Sequence, residues 1–258
     1  LRKYGGMSGF PKRRESDCDA FDTGHSSTSI SAGLGYVAAR DIQQQKYNVV
    51  SVIGDGSMTG GMAFEALNNA ARLKSNFIIV LNDNNMSISE NVGGISHYLN
   101  GLRTADAYTG LKQGVEETLK KIPVKGERIV YQLKKTKSGI KQLIVPGMLF
   151  EDMGLTYLGP VDGHDVKKLY KTFCEAKRLK RAVLVHVRTK KGKGYPPAEE
   201  NPALFHGPGP FDVDTGKLKA VSGKDSYTNI FSKVICDIGK KDKQVVAITA
   251  AMADGTGL

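Results

Sequence analysis

The chain has 258 residues and a mass of 27.9 kDa, room for one large α/β domain or for one domain and the start of another. Hydrophobic residues at 40% and charged residues at 24% are globular values, and no apolar run reaches the length that crosses a bilayer, so the reading is a soluble protein with no membrane partner. The 37 Lys and Arg against 26 Asp and Glu leave a formal charge of +11 and a pI near 9.4, which raises nucleic acid as a partner. Lys167, Lys168, Lys171, Lys177 and Lys180 instead fall where a solvated helix face needs them, so no nucleic acid is expected. Cys18, Cys174 and Cys236 form no C-x-x-C, which suits buried thiols in a reducing compartment. The chain opens on Leu1 without an initiator Met and stops at Leu258 just after a strand, so both ends are expected to be cut points.

In chain order, Ser29 or Ser31 is placed to cap a helix that turns Leu34, Val37, Ala38 and Ile42 inward. Val49 to Ile53 reads as a β-branched strand ending at Gly54. A glycine-rich turn then leads into a helix with Met62, Ala66, Leu67, Ala70 and Leu73 on one face, and Phe77 to Leu81 is the next strand. This is the length of a parallel-sheet crossover. Asn91 to Tyr108 reads as loop, and Val115 to Leu143 as a basic helical insertion broken at Pro123 and Gly126. A second unit follows: a strand at Thr156 to Leu158, a helix from Asp165 to Leu179 with Val166, Leu169, Tyr170 and Phe173 inward, and a strand at Val183 to Val187. Five of the nine prolines lie between Pro196 and Pro210, which predicts an extended loop. A helix from Tyr227 to Ile238 and a strand at Val245 to Thr249 predict the beginning of a second α/β domain. No internal repeat is present.

The chemistry concentrates at Gly54-Asp55-Gly56-Ser57, where a buried strand turns into a helix, with Gly60 and Gly61 beyond. Ligands of open parallel sheets bind at the carboxyl ends of strands, where glycines let backbone approach a phosphate and a helix N-terminus offers free N–H groups. The spacing is G-x-G-x-x-x-G, not a nucleotide fingerprint, and no P-loop occurs. Asn82-Asp83-Asn84 ends the very next strand, so one crossover brings it beside Asp55. A carboxylate, an amide oxygen and a backbone carbonyl suit an octahedral Mg²⁺ that also takes diphosphate oxygens. The alternative is that Asp55 caps the helix and Asn82 to Asn84 form an Asx turn.

With these residues in view, the sequence resembles the transketolase group of thiamine-diphosphate enzymes and, within it, the 1-deoxy-D-xylulose-5-phosphate synthase family. The matching segments are Gly24 to Ser29, Gly54 to Ala70, Asn82 to Ser89, Gly159 to Asp165, Lys190 to Tyr195 and Ile248 to Leu258, in order along nearly the whole chain. The resemblance implies an α/β fold with a parallel sheet flanked by helices, the thiamine-diphosphate-binding fold. Residues 1–215 would be the diphosphate- and Mg²⁺-binding domain, with a helical insertion at 115–145 and a Pro-rich loop at 190–212. Residues 216–258 would be a linker and the truncated start of a second, pyrimidine-binding domain.

It also implies that Asp55, the Asn84 side chain and the Met86 carbonyl ligate the metal, while Gly56 and Ser57 touch the diphosphate. Gly24, His25 and Ser26 would line the cofactor pocket, Tyr195 would contact the cofactor, and His206 would face the substrate. Tyr195, standing before two prolines, has packing as its alternative. His164 precedes a helix and reads as a cap, Glu65 as an orienting or structural acid, and His97 and His186 carry no motif. The implied reaction joins pyruvate, less CO₂, to glyceraldehyde 3-phosphate in a homodimer, the first step of non-mevalonate isoprenoid synthesis and a source of precursor for thiamine and pyridoxal. The glutamate that activates the cofactor ring would lie past Leu258, so this polypeptide alone is expected to be inactive. The expected location is the cytoplasm, or the plastid stroma in a plastid-bearing organism. Another transketolase-group activity is the rival within enzymes.

Overall fold

The structure, a computed structural model, describes residues 3–86, 93–104, 148–219, 226–249 and 253–258. They fall into two compact units. The first takes in the described residues up to Asn85 and from Gly93 to Thr189; the second takes in Met86 and those from Lys190 onward.

The first unit is a four-stranded parallel sheet in the order β1-β2-β4-β3, with β1 Val50–Gly54, β2 Phe77–Asp83, β3 Thr156–Asp162 and β4 Ala182–Arg188. Period-two alternation divides the apolar side chains of the strands between two layers. Ile53, Phe77, Ile79, Leu81 and Leu184 pack under helices α1 (Ser29–Ile42) and α2 (Gly61–Ala70). Ile78, Val80, Val183, Val185 and Val187 pack with Leu169, Phe173, Ala176 and Leu179 along helix α5 (Val166–Arg178). Each such fully buried side chain contributes about 1.5–3 kcal/mol, which explains why the two central strands read as continuous hydrophobic runs. Lys167, Lys168, Lys171, Lys177 and Lys180 are exposed, the solvated face the sequence predicts.

Helical phase corrects several inward assignments. The buried stripe of α1 is Ile30, Gly33, Val37 and Arg40. Ile42 lies five residues past Val37, on the far side of the helix, and is 83% exposed. The Arg40 guanidinium is buried because it donates to the carbonyls of Tyr47 (3.2 Å) and Asn76 (2.9 Å) and pairs with Asp41. Neither Ser29 nor Ser31 caps this helix; the N-cap is Thr28, without a side-chain bond. Met62 on α2 is half exposed, its place inward taken by Ala63. On α5, Val166 opens the first turn and Tyr170 lies one residue off the Leu169–Phe173–Ala176 line, so both face water. His164 does not cap α5; the Asp165 carboxylate does, accepting from the Lys168 N–H at 3.0 Å.

The segment expected to be loop from Asn91 contains helix α3, Gly94–Thr104. Its two glycines and polar residues conceal Ile95, Tyr98 and Leu99 at helical spacing, all packed on the first core together with Phe150 of helix α4 (Met148–Asp152). The basic insertion at 115–145 lies outside the described residues.

In the second unit, the proline segment begins as helix α6, Pro196–Glu200, because proline at the first helical positions pre-sets the backbone angle. A 3₁₀ turn, Leu204–His206, follows, and Phe211 bridges Leu218. Helices α7 (Tyr227–Lys241) and α8 (Ala253–Thr256) complete it. Val245 to Thr249 is not a strand: no described strand pairs with it, and Val246 and Ile248 are 82% and 93% exposed. The thiols also depart from expectation, with Cys18 and Cys236 exposed and Cys174 half-buried. No helix among the described residues is long and apolar enough to cross a membrane.

Candidate functional site

All four strands of the first unit run the same way, so their carboxyl ends meet at one edge of the sheet, the usual ligand side of such a fold. Gly54 is in register with Asn82, and the Asp55 N–H extends the ladder by donating to the Asn82 carbonyl at 3.2 Å. The chain then tightens into the 3₁₀ turn Ser57–Thr59, held by Met58 N–H to Asp55 O at 3.2 Å, before α2 begins. Asp55 is 1% exposed, and its Oδ1 accepts from the Asn84 N–H at 3.5 Å. The structure therefore brings Asp55 and Asn84 together across adjacent strand ends. Asp55 caps neither the 3₁₀ turn nor α2: their N-caps are Gly56 and Gly60, without side-chain bonds. An Asx-type bond is present one residue away, from the Asn85 N–H to Asp83 Oδ1 at 3.2 Å.

Gly24 to Ser29 is stitched to the same turn. The Ser27 side chain, on a residue held at a φ of 70°, donates to the Ser57 carbonyl at 2.7 Å. His25 is exposed, with Nδ1 2.6 Å from the Ser26 carbonyl, and its own carbonyl accepts from the hydroxyls of Thr23 and Thr28. Gly24, His25 and Ser26 thus form an exposed loop whose far end is anchored on the Gly54–Gly60 turn. A cavity of about 350 Å³ opens beside Asn84, lined by Asp83, Asn84, Asn85, Asp162, Arg188 and Thr189. Glu65, on α2, is exposed.

Beneath this edge lies an arrangement no sequence motif announced. Asp83 and His186, both fully buried, meet at 2.9 Å through Oδ2 and Nε2. The other ring nitrogen, Nδ1, is 2.7 Å from the Tyr157 hydroxyl. Burial, followed by Tyr98 and Asp83 nearby, pushes the Tyr157 phenol far above its ordinary value, so it carries its proton throughout the physiological range. A phenol that donates to Nδ1 leaves the neutral imidazole a proton on Nε2 for the Asp83 carboxylate. Three strands contribute one residue each. The sequence marked Asp83 within Asn82 to Asn84 and showed a histidine inside an apolar strand, but nothing local joins the two.

In the second unit, Tyr195 packs against Phe205 and Phe211, with ring centroids 5.6 and 6.1 Å away, and its hydroxyl donates to the Val213 carbonyl at 2.8 Å. His206 is exposed at the end of its turn, with Lys191 Nζ 3.0 Å from Nδ1. Partial burial, and then the Lys191 charge, hold the imidazole below its ordinary pKa. Met86 also belongs to this unit.

A family described as 1-deoxy-D-xylulose-5-phosphate synthase matches residues 1–189. The chain belongs to the 1-deoxy-D-xylulose-5-phosphate synthase family. The 1-deoxy-D-xylulose-5-phosphate synthases of Lachnoclostridium phytofermentans, Desulfitobacterium hafniense and Heliobacterium modesticaldum are 59%, 55% and 52% identical to it. Each alignment covers the whole of this chain and 41%, 41% and 40% of the respective relative, so the chain spans about two fifths of the synthases it matches. Among the described residues no three His, Cys, Asp or Glu side chains are grouped to hold a metal. What the chain offers at the sheet edge is the buried Asp55 carboxylate with the Asn84 backbone drawn against it, a hard oxygen donor suited to a small divalent ion that takes further ligands from an anionic partner.

Proposed function

We propose that the full-length protein is a Mg²⁺- and thiamine-diphosphate-dependent 1-deoxy-D-xylulose-5-phosphate synthase, a transferase that takes pyruvate and glyceraldehyde 3-phosphate to 1-deoxy-D-xylulose 5-phosphate and CO₂. The observation that carries this reading is the pairing of Asp55 with Asn84 at adjacent strand ends, in a chain of this family. The residues present fit the group: the Asp55 carboxylate is a hard, buried oxygen donor held beside the Asn84 backbone, and among the described residues nothing beyond the chain neighbours lies within 4 Å of where a side chain on Gly54 or Gly61 would sit, so the backbone there is open to an approaching phosphate.

In this reading Asp55 and Asn84 hold Mg²⁺, and the backbone at Gly56 and Ser57 receives the diphosphate. Gly24, His25 and Ser26 form one wall of the pocket. Bound thiamine diphosphate supplies a nucleophilic carbon and an electron sink. The protein's part is to fix the cofactor's anionic tail so that binding energy far from the reacting carbon orients it. The roles of Met86 as a third ligand, Tyr195 as a cofactor contact and His206 at the substrate rest on the sequence resemblance. So do a homodimer, a cytoplasmic location and a place at the head of isoprenoid synthesis.

The test is calorimetric titration of the full-length protein with thiamine diphosphate in the presence and absence of Mg²⁺, paired with a turnover assay on pyruvate and glyceraldehyde 3-phosphate. Binding that needs Mg²⁺ and disappears in Asp55→Ala is expected. Cofactor binding that ignores both Mg²⁺ and Asp55 would overturn the reading.

A further inference from the structure

We propose that His186 is a positioning residue for the cofactor anchor: braced by Tyr157, it fixes Asp83 and so sets the backbone turn that presents Asn84 to Asp55. This rests on the Mg²⁺ and thiamine-diphosphate reading above.

The case begins with what is buried where. Asp83 and His186 sit in the layer of Leu81, Leu184 and Phe150, where an apolar pair of similar volume would avoid removing a carboxylate and an imidazole from water. Stability alone does not explain the choice. The three side chains form one hydrogen-bonded series, with the Tyr157 hydroxyl 2.7 Å from His186 Nδ1 and His186 Nε2 2.9 Å from Asp83 Oδ2. Asp83 then acts on the turn with its remaining atoms. Its Oδ1 accepts the Asn85 N–H at 3.2 Å, and its carbonyl accepts the Thr189 N–H at 2.9 Å. Asn85 is bent to a φ of 66°, a left-handed conformation that needs local support outside glycine.

Asn84 lies between these two fixed residues, and its N–H reaches Asp55 Oδ1. Rotation of the Asp83 carboxylate would release the Asn85 N–H, relax the turn and move Asn84 relative to Asp55. His186 prevents that rotation, and Tyr157 prevents rotation of His186. Tyr157 is itself clamped, its ring stacked on Phe150 with centroids 6.1 Å apart and planes 2° from parallel. A buried polar series of this kind, with its donors and acceptors matched, defines one geometry more sharply than apolar packing does.

The experiment uses the full-length protein in three variants: His186→Phe, Tyr157→Phe and, as a control in the opposite layer, Val185→Ala. Affinity for thiamine diphosphate at fixed Mg²⁺ is read by calorimetry, the thermal midpoint by scanning calorimetry, and turnover at saturating Mg²⁺ and cofactor. His186→Phe is expected to weaken cofactor binding about tenfold or more, the scale on which groups supporting a metal ligand act, while leaving saturated turnover within about twofold. Tyr157→Phe, which removes one oxygen and keeps the stacked ring, is expected to weaken it by about threefold, with little added effect on top of His186→Phe because the two act in series. Val185→Ala is expected to lower the thermal midpoint with unchanged affinity.

Unchanged affinity in His186→Phe, or an equal loss of affinity in Val185→Ala, overturns the proposal. If His186→Phe does not fold, Tyr157→Phe decides: unchanged affinity there overturns it. Wild-type protein that binds no thiamine diphosphate overturns the proposed function and this inference together, whereas normal wild-type binding with insensitive variants overturns this inference alone.

Discussion

The Ser27 hydroxyl donates to the Ser57 carbonyl oxygen at 2.7 Å, joining two segments thirty positions apart at the turn that leads into α2. Gly60 leaves the room for it, since a Cβ there would stand 2.4 Å from Ser27 Oγ. The Gly60 backbone, at φ −76° and ψ 140°, suits any residue, so space alone forbids a side chain. Gly60→Ala is expected to destabilise the fold by about 1–3 kcal/mol, as overpacked sites do, and to weaken cofactor binding. Adding Ser27→Gly removes the obstructing hydroxyl and suits the φ of 70° at that position, so the double variant should recover most of the stability. Chemical denaturation of the four proteins of this cycle measures it; strict additivity would refute the steric account.

Two glycines of α1 should respond in opposite directions. At Gly33 a Cβ would lie 2.2 Å from Ser51 Oγ and 2.8 Å from the Phe77 ring, so Gly33→Ala forces the helix off the sheet. The clash, about 1–3 kcal/mol or more, outweighs the roughly 1 kcal/mol of helix propensity that alanine brings. At Gly35 nothing lies within 4 Å, and Gly35→Ala should stabilise by about 0.5–1 kcal/mol. Thermal midpoints of the two variants should move apart around the wild type.

The Asp165 cap gives a pH signature. Its carboxyl is held below the ordinary value of 3.8, first by the Lys168 N–H that it accepts and further by the Lys168 side chain. A depressed carboxyl contributes stability that is complete above the unfolded value and is lost as pH falls through the folded one. The difference in thermal midpoint between wild type and Asp165→Ala should be constant at neutral pH and should shrink on acidification below 3.8. A difference that persists unchanged into strong acid would show that the cap does not act through its charge.

His206 should stay neutral where an ordinary histidine is half charged. Partial burial is the larger cause and the Lys191 ammonium the smaller. Because the folded value is depressed, this residue favours the folded state above the unfolded value of 6.5, and that contribution declines as pH falls toward the folded value. In Lys191→Met the imidazole titration followed by NMR should move up part of the way, leaving the larger cause intact. A full return to 6.5 would mean that Lys191, not burial, governs the site.

What sequence could disclose about the site was whatever is local. Gly54 to Ser57 and Asn82 to Asn84 each lie within a few residues of a strand end, and one crossover relates them, so the Asp55–Asn84 meeting followed from spacing. The Tyr157–His186–Asp83 series is different in kind. Its partners are 29 and 103 positions apart, and it exists only because β4 lies between β2 and β3. Helix α3 escaped notice because glycine and asparagine diluted an apolar stripe of Ile95, Tyr98 and Leu99. Arg40 was hidden by the opposite effect: a charge seldom marks a core position, and only the carbonyls of Tyr47 and Asn76 explain why it occupies one.

Strand β2 counts in twos. Asn82 offers its amide oxygen to the Thr189 hydroxyl in the layer beside Val80, while Asp83 gives its carboxylate to His186 in the layer beside Leu81. Gain or loss of a single residue upstream in the strand would exchange the two, sending a carboxylate toward the valines under α5 and stranding the imidazole without its acceptor. The letters Asn-Asp-Asn would survive such an event unaltered while the anchor they build would not. The length of this segment is therefore expected to drift among descendants only by even steps, and a chain that keeps the motif but breaks that parity should be suspected of having lost the site.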